Sequence, residues 1–478
     1  LNGSPTPAQT PPDPPAAVRG PEPGWKVLLA LLCLLLSLTL WRSELVASLE
    51  RPSVGDALSL RQLELAALVG EVIPPGWRPA LVGAQPRIAL RDELQRQVEA
   101  DDPPAPALRR LELALLERAG DDPAAARRLA ELQGMVDLPR RPLVQALITG
   151  NRLEGPSLQA LLAPWQPPLM LRQLGCEQLL LPSGDADGTR CPAQAQPGRL
   201  LLKLLGVNGL PLLLLLVGTG LLLREAWRQW RIRPPAPPLV GPPFSPVEVT
   251  LLLAGGFVLL GEVLMPQLVQ LPLQRGLAAL ALGDSLAQGL QVVGLYGGLM
   301  LAPLAILAAL LAGAGPPPPG GWLQWHWRPV ATALGQALAT MLMVLPLVAL
   351  AGWLIQRIWG DPGGSNPLLE LVLTSADPGA LICFGLTATV LAPLFEETLF
   401  RGVLLPVVGR RLGGTWAVLI SASVFAVAHL SLGELVPLFL LGCGLGWLRW
   451  RSGRLAAPVL MHALWNGLTF LNLLFLAD

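Results

Sequence analysis

From residue 200 to the end, long apolar runs alternate with short charged connectors. The runs lie near 200–223, 248–266, 287–312, 330–354, 379–407, 415–431, 434–448 and 455–476, and an earlier one covers 27–41. A helix needs about 20 apolar residues to cross the hydrocarbon core of a bilayer, so these nine segments are candidate spans. The pattern predicts an all-α, polytopic transmembrane helix bundle of about eight to nine spans. Residues 42–199 break it, because charge and Pro recur too often for any stretch to span. They are expected to form a mostly helical segment outside the membrane. Asp101-Asp102-Pro103 and Asp121-Asp122-Pro123 read as two helix starts, each an acidic cap ahead of an Arg-Arg-Leu amphipathic stretch. They are taken as unrelated helices with similar caps.

Five segments follow from this reading: a Pro-rich disordered tail over 1–26, an anchor over 27–41, the outer segment 42–199, a second span with a basic loop over 200–245, and a polytopic core over 246–478. The 27–41 run has the length of a signal peptide, but no small-residue cleavage site follows it, and it reads as an uncleaved anchor. Composition agrees with a membrane protein. Hydrophobic residues make up 52% of the 478 and charged residues 14%, where soluble domains carry about 25% charged. The formal net charge is +1 and the basic residues are scattered, so no face has the positive field that nucleic acid requires.

Basic residues beside the spans set the orientation, because Lys and Arg stay on the cytoplasmic side. One assignment gathers Arg19, Lys26, Arg224, Arg228, Arg231, Arg233, Arg328, Arg410, Arg411, Arg449, Arg451 and Arg454 inside, leaving Arg275 and Arg357 on short outer loops. The amino terminus is then cytoplasmic, the carboxyl terminus outside, and 42–199 extracytoplasmic. The membrane is the plasma membrane of a prokaryote or an internal membrane. Of five cysteines, Cys33, Cys383 and Cys443 fall in apolar runs as small packing residues. Cys176 and Cys191 share the outer segment, where an oxidising compartment would let them bond.

Ionisable groups inside apolar runs are costly and mark sites or satisfied pairs. Glu396 and Glu397 stand in such a run with Arg401. Glu397 and Arg401 are four apart with the acid first, the better orientation for a helical pair, which leaves Glu396 without a basic partner at helical spacing. Phe425 and His429 end a small-residue helix, and His462 shares a face with Asn466 in the last run. The remaining histidine, His326, lies between Trp325 and Trp327 at a boundary, where an aromatic belt explains it. A free carboxylate, two imidazoles and an amide on three helices are the parts of a hydrolytic site.

The order Glu-Glu-x-x-x-Arg, Phe-x-x-x-His, His-x-x-x-Asn resembles the CPBP family of intramembrane proteases, which includes the CAAX prenyl endopeptidases and the Abi or bacteriocin-processing homologues. The resemblance covers roughly 379–476 and says nothing of 1–199. It implies an endopeptidase acting on lipidated CAAX-type or other membrane-associated peptides. Glu396 and His429 would activate water, His462 and Asn466 would polarise the scissile carbonyl, and Glu397, Arg401 and Phe425 would support the site. A divalent metal, zinc by its ligand types, held by Glu396, His429, His462 and Asn466 is the open alternative, although no His-Glu-x-x-His helix is present. Helical rise from the assumed entries puts Glu396 and His462 within about 10 Å of the cytoplasmic edge and His429 roughly 20 Å deep. A site opening to the cytoplasm is expected. The rival readings are a silent scaffold with a partner for the outer segment, or a transporter, for which no internal repeat is evident.

Overall fold

A computed structural model describes residues 22–51, 54–100, 106–165, 167–181, 191–360, 367–375 and 377–476. Most of the tail expected over 1–26, together with Asp101-Asp102-Pro103, lies outside the described residues. The described residues are 80% helical, and among them there is no strand, only an isolated bridge between Leu153 and Leu180.

Each of the nine apolar runs is a helix. They are α1 (Gly24–Ser48), α2 (Pro197–Ile232), α3 (Pro246–Ala279), α4 (Asp284–Ala312), α5 (Val330–Trp359), α6 (Pro378–Leu412), α7 (Gly414–Ala428), α8 (Leu435–Ser452) and α9 (Ala456–Leu476). Among the described residues seven are long and apolar enough to cross a membrane, which corrects the expected eight to nine. The reasons are physical. The 15 residues of α7 rise only about 22 Å, and the last turn of α8 carries Arg449 and Arg451. The molecule is an integral, multi-pass membrane protein.

The bundle packs around α6. Phe395, Phe400 and Phe425 are buried there, with Phe257 of α3 edge-on to the first two at 5.8 and 6.1 Å, the geometry that aromatic quadrupoles favour. Close approach of α7 and α8 needs Gly442, where a Cβ would sit 3.0 Å from Ala422. At one end of the bundle, the Pro-rich connector after α2 lies across the helix ends as a strap. Arg410 donates to the Gly241 and Pro242 carbonyls, Arg449 to Val240 and Arg451 to Pro234. Pro removes amide donors from such a strap, and its carbonyls take the arginine hydrogens.

At the opposite end sits a helical unit with its own core of Leu90, Leu94, Leu111, Leu113 and Leu115, into which Leu476 of α9 also packs. Asp122 accepts the Ala124 amide at 2.9 Å ahead of the helix Ala124–Met135, a cap as its sequence suggests. Cys176 and Cys191 are disulfide-bonded, and Cys33, Cys383 and Cys443 are free. His326 follows a tight turn in which Trp325 and Trp327 stack at 5.8 Å.

Candidate active site

Three helices bring the polar groups together. Near the middle of α6 the backbone widens into wide-turn helix before the two carboxylates, over Thr387–Leu391, and after them, over Thr398–Leu404. Such turns add a residue to the helical circuit, re-aim side chains and recur at functional sites. Between them Glu396 points at α7 and α9. Its Oε2 lies 3.9 Å from Nε2 of His429 and 4.0 Å from Nε2 of His462, and it has no hydrogen-bond partner although buried. A buried acceptor left unpaired costs about 1–3 kcal/mol, and this oxygen is the acceptor of the carboxylate still available for hydrogen bonding.

Each imidazole is fixed from its far side. His429 Nδ1 is 2.8 Å from the Phe425 carbonyl; a carbonyl only accepts, so the hydrogen is on Nδ1 and Nε2 is the nitrogen turned toward Glu396. His462 Nδ1 is 2.9 Å from Oε1 of Glu397. That same oxygen accepts Nη1 of Arg401 at 2.8 Å, and both members of the pair are fully buried. Glu397 therefore does more than pair within its helix, which is all that spacing indicated: it also orients His462. Arg401 gives Nη2 to the Gly442 carbonyl at 3.2 Å and lies 4.3 Å from the Phe425 ring centroid. Phe425 packs at 4.5 Å on His429 and 5.7 Å on His462, so it spaces the two rings.

Asn466 sits one turn past His462, and its Nδ2 donates to the Ala388 carbonyl at 2.8 Å. Ala388 belongs to the first wide turn of α6, where regular helical bonding lapses. The amide thus ties α9 to α6. One further residue went unread in the sequence: Tyr296 of α4 donates its Oη to Oε1 of Glu396 at 3.0 Å. Its only signal was a hydroxyl in an apolar span, on the single tyrosine of the chain.

The depth mismatch disappears in the structure. Helix α6 runs on to Leu412, and α7 begins two residues later, so both histidine and carboxylate should be counted from that shared corner. Glu396 is then about 24 Å and His429 about 22 Å along their helices. The error lay in counting α6 from its far end at 379 and α7 from its near end at 415.

Two imidazoles and a carboxylate suit zinc chemically, and each imidazole has the hydrogen-bonded far nitrogen usual in metal sites. The spacing is less suitable. Tetrahedral ligands at zinc distances stand roughly 3.4 Å apart, closer than the observed 3.9 and 4.0 Å, and among the described residues no group of three or more His, Cys, Asp or Glu is arranged to hold a metal.

Residues 378–468 match the family described as type II CAAX prenyl endopeptidase, Rce1-like. Residues 55–202 match a domain of unknown function, DUF8675. An "Uncharacterized 24.3 kDa protein" of Escherichia coli is 46% identical over 82 residues, which is 16% of this chain and 38% of that relative, so the chain spans well under half the relative's length. No solved structure matches. The stretch 378–468, with Glu396, His429, His462 and Asn466 all inside it, is thus Rce1-like, of the CAAX-type intramembrane protease family that its motif order resembles.

Proposed function

We propose that the protein is an intramembrane endopeptidase that hydrolyses a peptide bond by water activation at Glu396. The observation that carries the reading is the unpartnered Glu396 Oε2 facing the Nε2 atoms of His429 and His462 at 3.9 and 4.0 Å. A water in that gap gives one hydrogen to the carboxylate and the other to the His429 lone pair. Glu396 takes the proton as the oxygen attacks the scissile carbonyl, then passes it to the leaving amine. His462 keeps its Nδ1 hydrogen on Glu397, and in its imidazolium form donates from Nε2 to the developing oxyanion. Asn466, bound to Ala388, holds α9 in register for this donation.

The substrate is a lipidated CAAX-type peptide or another membrane-associated peptide, a class for which a site within a helix bundle removes the need to extract the chain from the bilayer. The amino terminus is cytoplasmic and residues 42–199 extracytoplasmic, in a plasma or internal membrane. The grouping of Lys26, Arg410, Arg449 and Arg451 with the strap at one end, away from the helical unit, supports this orientation. The helical unit offers a surface for a partner or for substrate delivery.

The test is peptide cleavage by the full chain in liposomes, with prenylated CAAX peptides and a panel of unmodified membrane peptides, for wild type, His429→Ala and His462→Ala, each with and without a chelator. The reading expects cleavage by wild type, loss of about 100-fold or more in either variant, and indifference to the chelator. Cleavage abolished by the chelator and restored by zinc would replace the water with a metal. A wild type inert on all peptides would turn attention to a scaffold.

A further inference from the structure

The proposed mechanism uses one oxygen of Glu396 and leaves the other to Tyr296. A carboxylate on a terminal sp³–sp² torsion has a broad, two-fold rotational preference, so nothing within α6 decides which way its plane faces. The decision comes from α4. Tyr296 Oη donates to Oε1 at 3.0 Å, and the phenol ring is held in turn by edge-on contact with Phe395 at 6.4 Å and 86°. Phe395 precedes Glu396 directly, so ring and hydroxyl grip consecutive residues of α6. With Oε1 occupied, Oε2 is the oxygen that faces both imidazoles and lacks a partner.

We infer that Tyr296 is a positioning residue for the hydrolytic site: its hydroxyl locks the Glu396 carboxylate in the one orientation that presents Oε2 to the water bound with His429. The inference rests on the proposed function for its catalytic consequence, but the contact itself does not. Lost orientation of a reacting group costs on the order of 100-fold in rate without weakening substrate binding, so the signature is a fall in kcat at constant KM.

Because the chain has a single tyrosine, the contact can be read by spectroscopy with no ambiguity of assignment. Full-length protein labelled with ¹³C at tyrosine Cζ gives one ring-carbon resonance in detergent micelles. Replacing Glu396 by Ala moves that resonance if the hydrogen bond exists, whatever the activity of the protein. In the liposome assay Tyr296→Phe, which keeps the ring and its packing, lowers kcat by about 10- to 100-fold with KM within about two-fold, while the protein stays folded. An unmoved Cζ resonance overturns the inference, and so does a Tyr296→Phe enzyme with wild-type kcat or with its loss confined to KM. If the resonance moves while wild type cleaves no peptide, the proposed function fails, and the catalytic role of Tyr296 fails with it although the contact stands.

Discussion

The charge of Arg401 is matched entirely inside the protein, by the Glu397 carboxylate, the Gly442 carbonyl and the Phe425 ring. Removing one member of a buried pair strands the other, at about 3–5 kcal/mol. Arg401→Ala is therefore expected to lower the melting temperature sharply and to lose activity as a consequence of lost structure. Glu397→Gln keeps the volume but removes the charge that pairs Arg401 and holds His462 Nδ1, so stability and activity should fall together, which parallel melting and cleavage curves would show. Outside the membrane, Glu117 is a second buried acid, 2% exposed and held by Arg128 Nε at 2.8 Å. Burial pushes its carboxyl above the ordinary carboxylate value, with Arg128 pulling partly back. A raised folded-state pKa means the folded chain binds the proton more tightly. Its stabilising contribution is complete below the unfolded value and is lost as pH rises through the folded one. Melting of the full chain at about pH 4 and about pH 7 should show this loss in wild type and a smaller one in Glu117→Gln.

At the scale of elements, the position of His429 depends on a helix almost 400 positions away. His429 caps α7, and Leu430 after it takes φ +53, a left-handed conformation that a branched side chain adopts only under constraint. The constraint comes from the end of α1: Leu432 N–H donates to Ser48 Oγ at 3.1 Å, and Arg51, itself paired with Glu44, reaches the Leu430 carbonyl at 3.5 Å. The pair Ser48→Ala and Arg51→Ala touches no substrate, yet should lower kcat about 10-fold through a displaced His429, with little change in melting. Wild-type kcat in this double variant would show that α7 positions its histidine unaided. The sequence made the elements legible because hydrophobic run length is a strong signal, and it marked Glu396, His429 and His462 because ionisable groups are rare in such runs. Contacts between distant helices left no local trace. The clamp from Ser48, the grip of Tyr296 and the second role of Glu397 all join residues more than 60 positions apart, beyond any helical spacing. The end of α6 was misplaced for a related reason, since Arg410 and Arg411 read as a boundary, but the helix continues through both and Arg410 bonds to the carbonyls of the strap.

Across the whole molecule, charge separates the two ends. The strap and its arginines occupy one, and the helical unit, the end of α1 and the end of α9 occupy the other. The proposed orientation, from basic retention, puts the strap end in the cytoplasm. A Cys introduced at Pro317, in the exposed connector after α4, should react with a membrane-impermeant maleimide only after cells are permeabilised, whereas one at Gly76 in the helical unit should react in intact cells. The opposite pattern would invert the topology and, with it, the side from which substrate reaches the site.

The central claim is that Glu396 performs hydrolysis within the bundle. Its most direct test compares wild type with Glu396→Gln, an isosteric change, in liposomes carrying a prenylated CAAX peptide and membrane-peptide controls, with products identified by mass. The account predicts a defined cleavage product from wild type and none from the variant at unchanged melting temperature. Equal product from both would contradict it.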